Sequence, residues 1–246
     1  LDTFLFIHYI MATLTITWAN VQNTETVSFP LSGGTNLVAG TDTYQYFIDG
    51  VAGSSPGGDL PAGITNILCS NFSGITATVT LEITIGSGYF TRLGGDWTSS
   101  GNSVGNTRLE SIIPAAGREA DWGLGTTDGT IPGLTSLEEF LKNCTYISND
   151  GAGSSIPQTC PTTIVNMKDA FNGATNFNLV LDRWTTSNVT DMTDMFNGAS
   201  SFAQSIRGWD TSSATATSAG GSNAYANMFL NATAMASAFS LSLIHI

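Results

Sequence analysis

Apolar and polar residues alternate through the first third of the chain, which is the pattern of β-strands with one buried face. The alternation begins at Leu14, Ile16 and Trp18, and a polar turn at residues 20–26 separates it from a second strand. The positions that continue the pattern are Val27, Phe29, Leu31, the segment Tyr44–Ile48 that leads into Asp49-Gly50, and the segment Thr76–Ile85. Short strands divided by turn signals predict a small antiparallel β-sandwich of the immunoglobulin or PKD type.

A tandem repeat with a spacing of 25 residues follows in the second half of the chain. The aligned pairs are Ile164 with Val189, Met167 with Met192, Phe171-Asn172-Gly173-Ala174 with Phe196-Asn197-Gly198-Ala199, Phe177 with Phe202, and Trp184 with Trp209. A repeat of this length is typical of units that cannot bury their apolar face alone and therefore stack on their neighbours.

The spacing inside one unit predicts its secondary structure. Apolar residues from Val189 to Phe196 recur at helical spacing, and Gly198 lies where a left-handed residue ends a helix. Phe202, Gln204 and Ile206 then alternate as a strand. We therefore predict a mixed β and α/β fold, in which the sandwich precedes a leucine-rich-repeat-like solenoid of helix–strand coils.

These patterns divide the chain into segments. We expect the sandwich at residues 11–86, ending at Gly86-Ser87-Gly88, and the solenoid at residues 87–240. Its predicted units span residues 134–161, 162–186, 187–211 and 212–240. Residues 1–10 and 241–246 depart from both patterns and are predicted to be a leader or non-native segment and a tail.

Composition and charge exclude several classes of partner. The net charge is −12, and only seven Lys and Arg residues occur among 246. They are spread singly, so they cannot form the basic patch that nucleic acids or anionic membranes require. No segment is long and apolar enough to predict a membrane span.

The chain contains few residues of the types that usually carry out catalysis. His8 and His245 are the only histidines, and both lie in the terminal segments. Triads and His-based metal sites are therefore not expected. Carboxylate pairs of the glycosidase type remain, and they are Glu119 with Asp121, Glu138 with Glu139, and Asp182 with Asp210. Nothing in their spacing selects one pair, so we predict a non-enzyme without cofactors.

Five residues are candidates for ligand contact. Asp169, Asp194 and Asn227 share one position of the repeat, and they form either a solvated polar row or a calcium ladder. Trp184 and Trp209 either close the apolar core or stack on a sugar.

The three cysteines do not define a disulfide framework. Cys144 falls in the slot of Ala174 and Ala199, which favours a small buried thiol. A bridge between Cys144 and Cys160 in an oxidising compartment is the alternative.

The segments Asn188–Phe202 and Trp209–Ser212 are similar to the repeat of BspA-like surface proteins, a divergent leucine-rich-repeat group. The shared motif is Met-Phe, Ala, Phe and then Trp-Asp-Thr-Ser. The resemblance implies a leucine-rich-repeat-like solenoid with surface or adhesive roles, often preceded by a sandwich domain. Similar repeats also occur in proteins of large viruses and phages.

Together these observations favour a non-catalytic protein for adhesion or protein interaction, located outside the cell, on its surface or on a virion. Its expected partner is a protein or glycan on a cell surface. The alternative is a carbohydrate-binding module that uses aromatic and amide side chains of the solenoid face.

Overall fold

The structure is a computed structural model of the 246-residue chain. It describes residues 12–22, 25, 27–32, 34–48, 51–60, 66–69, 76–86, 88–95, 105–116, 122, 124, 133–147, 155–215 and 223–239. The predicted leader and tail, and the pair Glu119 and Asp121, lie outside the described residues.

Regular secondary structure is concentrated in the first half of the chain. The elements are β1 (Ala12–Gln22), β2 (Val27–Ser32), β3 (Thr43–Ile48), β4 (Val51–Asp59), β5 (Asn66–Cys69), β6 (Thr76–Ile85), β7 (Arg92–Leu93), α1 (Gly105–Arg108), β8 (Leu109–Pro114) and α2 (Thr233–Ala238). The predicted strands therefore form where the alternation placed them, and the coarser prediction of an antiparallel β-rich fold is confirmed.

Two antiparallel sheets contribute to one continuous apolar core. The larger has the order β4-β3-β6-β1-β8 and the smaller the order β5-β2-β7. Period-two alternation explains the packing, because Leu14, Ile16 and Trp18 of β1 are all fully buried. Strand β3 pairs with β4 across residues 49–50, as the hairpin prediction requires.

Strand β8 joins the first sheet although it lies beyond the predicted boundary. Its residues pair antiparallel with β1, with Ile112 opposite Ile16. Leu109 and Ile112, which fall within the range predicted for the solenoid, are therefore residues of this antiparallel sheet. The boundary at Gly86–Gly88 itself stays a prediction.

The predicted solenoid of helix–strand coils is also wrong. The repeat units contain turns instead of helices and strands, and the only helix among the described residues after 133 is α2. Isolated parallel bridges join Ser136 to Asn166 and Asn166 to Asp191. The repeats therefore form four stacked turn layers, which we call layer 1 (residues 136–144), layer 2 (166–174), layer 3 (191–199) and layer 4 (224–232).

Each layer consists of three overlapping turns. Backbone hydrogen bonds of the i→i+3 type close them, accepted by the carbonyls of the second, fourth and sixth residues of the layer. The fourth and eighth residues of every layer have a left-handed backbone, with φ between 54° and 72°. They are Glu139, Asn143, Asp169, Gly173, Asp194, Gly198, Asn227 and Asn231. Left-handed residues at every fourth position prevent an α-helix and leave every second amide of the layer, including their own, free to bond elsewhere.

Those amides join the layers in one direction. In each of layers 1 to 3, the N–H groups of the second, fourth, sixth and eighth residues donate to carbonyls of the following layer, at 2.6–3.0 Å. All donors thus point toward layer 4 and all acceptors toward layer 1. Helical spacing misled the sequence prediction because overlapping i→i+3 turns also return every third or fourth side chain to the core.

Aromatic columns fill the interior of the stack. The rings of Phe171 and Phe196 are 5.1 Å apart and those of Phe196 and Phe229 5.5 Å, with planes within 5° of parallel. Phe177 and Phe202 form a second column at 5.8 Å. All but Phe229 are fully buried, so successive layers share one apolar interior.

The second halves of the units at 162–186 and 187–211 do not form strands. Ser201 donates its N–H to Thr175, whereas Asn178 makes the next contacts through its side chain. Its Oδ1 accepts the N–H of Ala203 and the amide of Gln204. Side-chain bonds between the two units thus replace a β-ladder here.

Candidate functional site

The left-handed fourth residues of the layers form a polar column along the stack. Asp169 accepts the side-chain amide of Asn172, and Asp194 accepts that of Asn197 in the same way at 2.8 Å. Asp and Asn tolerate a left-handed backbone better than other residues with a side chain. The sequence pattern at this position therefore has a backbone cause, in addition to any ligand role.

The side chains of this polar column and their partners differ at the two ends of the stack. In layer 1, Glu139 and Lys142 form an ion pair at 2.7 Å, and Lys142 also lies 3.7 Å from Asp169. Burial lowers the pKa of Lys142, but the hydrogen bond to Glu139 and the charges of Asp169 and Glu139 outweigh it, so the pKa is raised. In layer 4, Asn227 and Leu230 cannot repeat either pair.

The geometry bears on the choice between a polar row and a calcium ladder. Within the described ranges, no group of three or more His, Cys, Asp or Glu side chains is placed to hold a metal ion. The carboxylates of Asp169 and Asp194 are engaged by amides of their own layers. Ligand contact by Asp169, Asp194 and Asn227 stays a prediction.

Trp184 and Trp209 lie in the core. They are 3% and 8% exposed, and their indole N–H groups donate to the carbonyls of Pro157 and Leu181 at 3.0 and 2.9 Å. The ring of Trp184 contacts Phe171, and the ring of Trp209 contacts Phe196. Little of either indole surface is therefore left for a sugar to stack on. Both tryptophans therefore serve the core here, and their contact with a ligand stays a prediction.

The described carboxylate pairs do not resemble an acid–base couple. Glu138 and Glu139 both bind Arg92, at 3.0 and 3.1 Å. Asp182 and Asp210 are exposed, and hydrogen bonds from Ser212 lower the pKa of Asp210. A general acid needs a raised pKa, and the pKa of Asp210 is shifted in the opposite direction.

Cys144 and Cys160 are free and buried. Cys144 occupies the alanine slot of its layer, as predicted, and burial raises the pKa of both thiols. Both are packing residues, and their burial disfavours the thiolate, which is the reactive form of cysteine.

The solvent side of the stack differs from layer to layer. Val165 and Val180 are 43% and 45% exposed, whereas Thr190 and Ser205 occupy their slots in the next unit. Leu230, 46% exposed, replaces Asn197 in the same way. The backbone and the buried columns hold the layers together, so these surface positions are free to vary without loss of the stack.

The sequence analysis missed the outer edge of layer 4. The donors of its fourth, sixth and eighth residues, Asn227, Phe229 and Asn231, have no acceptor in the described part of the chain. A cavity of about 260 Å³ adjoins this edge, and it is lined by Ser205, Ile206, Arg207, Phe229, Met235 and Phe239. The direction of the hydrogen bonds that exposes this edge has no sequence signal.

The repeats are similar to one known family model. Residues 135–241 match a family model described as a Mycoplasma protein of unknown function, DUF285. A DUF285 domain is found at residues 135–241. It includes all four turn layers. No curated protein and no solved structure matches the chain.

The DUF285 domain and the sheets before it contain no membrane-spanning element in their described residues. Neither α1 nor α2 has the length and apolar character that a crossing of the bilayer requires.

Proposed function

We propose that this chain is a non-catalytic protein-interaction and adhesion protein of the BspA-like type, which acts outside the cell, on its surface or on a virion. The observation that carries the proposal is that the residues that build the stack differ from those that form its surface. Backbone bonds and buried aromatic rings build the layers, while solvent-facing slots change from one layer to the next. Repeat proteins that bind other proteins commonly use such variable positions on a fixed scaffold.

The exposed apolar side chains support contact with a protein. Val165, Val180 and Leu230 are each more than two-fifths exposed within the DUF285 domain. The buried centres of protein interfaces are more apolar than their rims, so exposed apolar side chains are candidates for such contacts. Charged residues make up only 11% of the whole chain, and this low content is compatible with such an interface.

The test is binding of the full chain to arrays of immobilised cell-surface proteins and, in parallel, of glycans. We expect binding to protein spots, and a loss of about tenfold or more for Val165→Asp or Val180→Asp, because a carboxylate at an apolar contact must be desolvated. Val38→Asp is the matched control, since Val38 is 49% exposed but lies outside the stack. Binding only to glycans would favour the carbohydrate-binding alternative, and polysaccharide cleavage that depends on one carboxylate would overturn the proposal.

A further inference from the structure

The outer edge of layer 4 is a row of hydrogen-bond donors. Layers 1 to 3 each direct four N–H groups toward the next layer, and layer 4 repeats their backbone. The N–H of Tyr225 is taken by Oδ1 of Asn223 at 3.0 Å. The N–H groups of Asn227, Phe229 and Asn231 have no acceptor among the described residues.

Apolar surface accompanies these donors. Phe229 stacks on Phe196 through one face and is only partly buried, and its ring also lines the cavity beside Met235 and Phe239. Leu230 is 46% exposed next to it. The edge therefore combines the two features by which each internal layer holds its neighbour, namely aligned donors and an aromatic column.

We propose that this edge docks a further turn layer of the same kind, presented by a partner protein whose repeats have a free carbonyl edge. The inference rests on the proposed protein-interaction role, and it names the partner and the surface. A turn layer suits the edge because all of its outward carbonyls lie on one side, at the two-residue spacing of the donors. Adding a backbone segment to an open edge is a common mode of recognition.

Ordinary strands and a second copy of this chain suit the edge less well. Each outward residue of an extended strand presents both an N–H and a carbonyl, so its N–H groups would oppose those of layer 4. Two copies paired edge to edge would also bring donor against donor. Part of the carbonyl edge of layer 1 is already occupied, because Leu93 donates to Ser136 and the backbone of Gly94 lies so close that a Cβ there would be 2.2 Å from the carbonyl oxygen of Glu138.

The charge at the cavity indicates which layer fits. Arg207 lines the cavity and occupies the slot that Asp182 has one unit earlier. An acidic side chain of the partner layer that reaches this cavity would bring a carboxylate to the guanidinium. The chain's own unit at residues 162–186 carries Asp182 and contains no cysteine, so a synthetic peptide of that segment is a suitable probe.

The experiment measures amide hydrogen exchange of the full chain by NMR, with and without the 162–186 peptide, together with fluorescence anisotropy of the labelled peptide. We expect saturable binding and a slowing of exchange by about tenfold or more at Asn227, Phe229 and Asn231. A Phe171→Asp peptide should bind about tenfold more weakly, because it lacks the Phe171 ring that would stack on Phe229 in the parent complex. The matched Thr175→Asp peptide, changed at an exposed position, should bind within about twofold of the parent.

Three results would overturn the inference. The first is unchanged exchange at millimolar peptide, and the second is equal protection by an oligoglutamate peptide, which would mean that the donors bind anions of any shape. The third is protection that grows with the concentration of the chain alone, which would make a second copy the partner. If the peptide fails while Val165→Asp still abolishes array binding, the edge proposal is refuted and the proposed function stands.

Discussion

Replacing Gly198 by alanine tests the left-handed positions on which the turn layers depend. Gly198 has φ 72°, and a Cβ there would meet only Gly173 backbone atoms at 3.6 and 3.7 Å, an ordinary contact distance. The substitution therefore changes backbone preference without a clash. We expect the free energy of unfolding to fall by about 1 kcal/mol, since a left-handed alanine costs roughly 1–2 kcal/mol and the stiffer unfolded chain returns about 0.4–1 kcal/mol.

Gly208→Ala is the matched control. Gly208 is exposed, its φ is not in the left-handed region, and a Cβ would meet no atom within 4 Å. Its substitution should leave stability unchanged or raise it by up to about 1 kcal/mol. Gly173→Ala should be the most damaging of the three, because its Cβ would lie 2.3 Å from Oδ1 of Asn143, which would have to move away.

The assay is urea unfolding followed by tryptophan fluorescence, because Trp184 and Trp209 report on the stack. With a slope of about 1–3 kcal/mol per molar urea, a loss of 1 kcal/mol lowers the midpoint by roughly 0.3–1 M. Equal midpoints for Gly198→Ala and Gly208→Ala would refute the assignment of left-handed residues to every fourth position.

Three further predictions follow from single contacts. In a Cys69→Ser variant, Cys144 and Cys160 should resist an aromatic disulfide reagent in the native state and react fully in denaturant. The reason is that burial raises the pKa of both thiols. Rapid labelling of the native protein would contradict their burial. Asn178→Ala should lower the free energy of unfolding by about 1–2 kcal/mol, measured by urea unfolding, because it removes acceptors for two neighbouring groups. The pKa of Lys142 is raised above its ordinary 10.5, so its contribution to stability should persist at neutral pH and disappear as the pH rises above about 10.5; a Lys142→Met variant titrated over that range should lack this part of the decline.

The β-sheets were predictable because a period of two has few structural alternatives. Leu14, Ile16 and Trp18 can share a face only in an extended chain, and the structure buries all three. The place of β8 was not predictable in the same way. Its pairing with β1 joins residues almost a hundred positions apart, and no local pattern specifies a partner at that distance.

The sequence repeat predicted which side chains occupy equivalent positions, but it did not predict the backbone conformation of the units. Cys144 lies in the alanine slot, and Phe171, Phe196 and Phe229 form one column, as the alignment implies. The same spacing suited a helix, and propensity could not decide between the two structures. The deciding signal was the recurrence of Asp, Asn or Gly at the fourth and eighth positions, which indicates left-handed residues too frequent for any helix.

The candidate surface follows from that backbone more than from any side chain. A helix satisfies its own amides, so a stack of helices would present only side chains at its last unit. Turn layers with left-handed residues at positions such as Asp194 and Gly198 send alternate amides outward, and each layer completes the bonding of the one before it. Among the described residues, layer 4 is therefore left with a row of donors at Asn227, Phe229 and Asn231 that have no acceptor. Its partner is defined by the geometry of carbonyl groups, which is why the search for catalytic or metal-binding residues in the sequence could not find this surface.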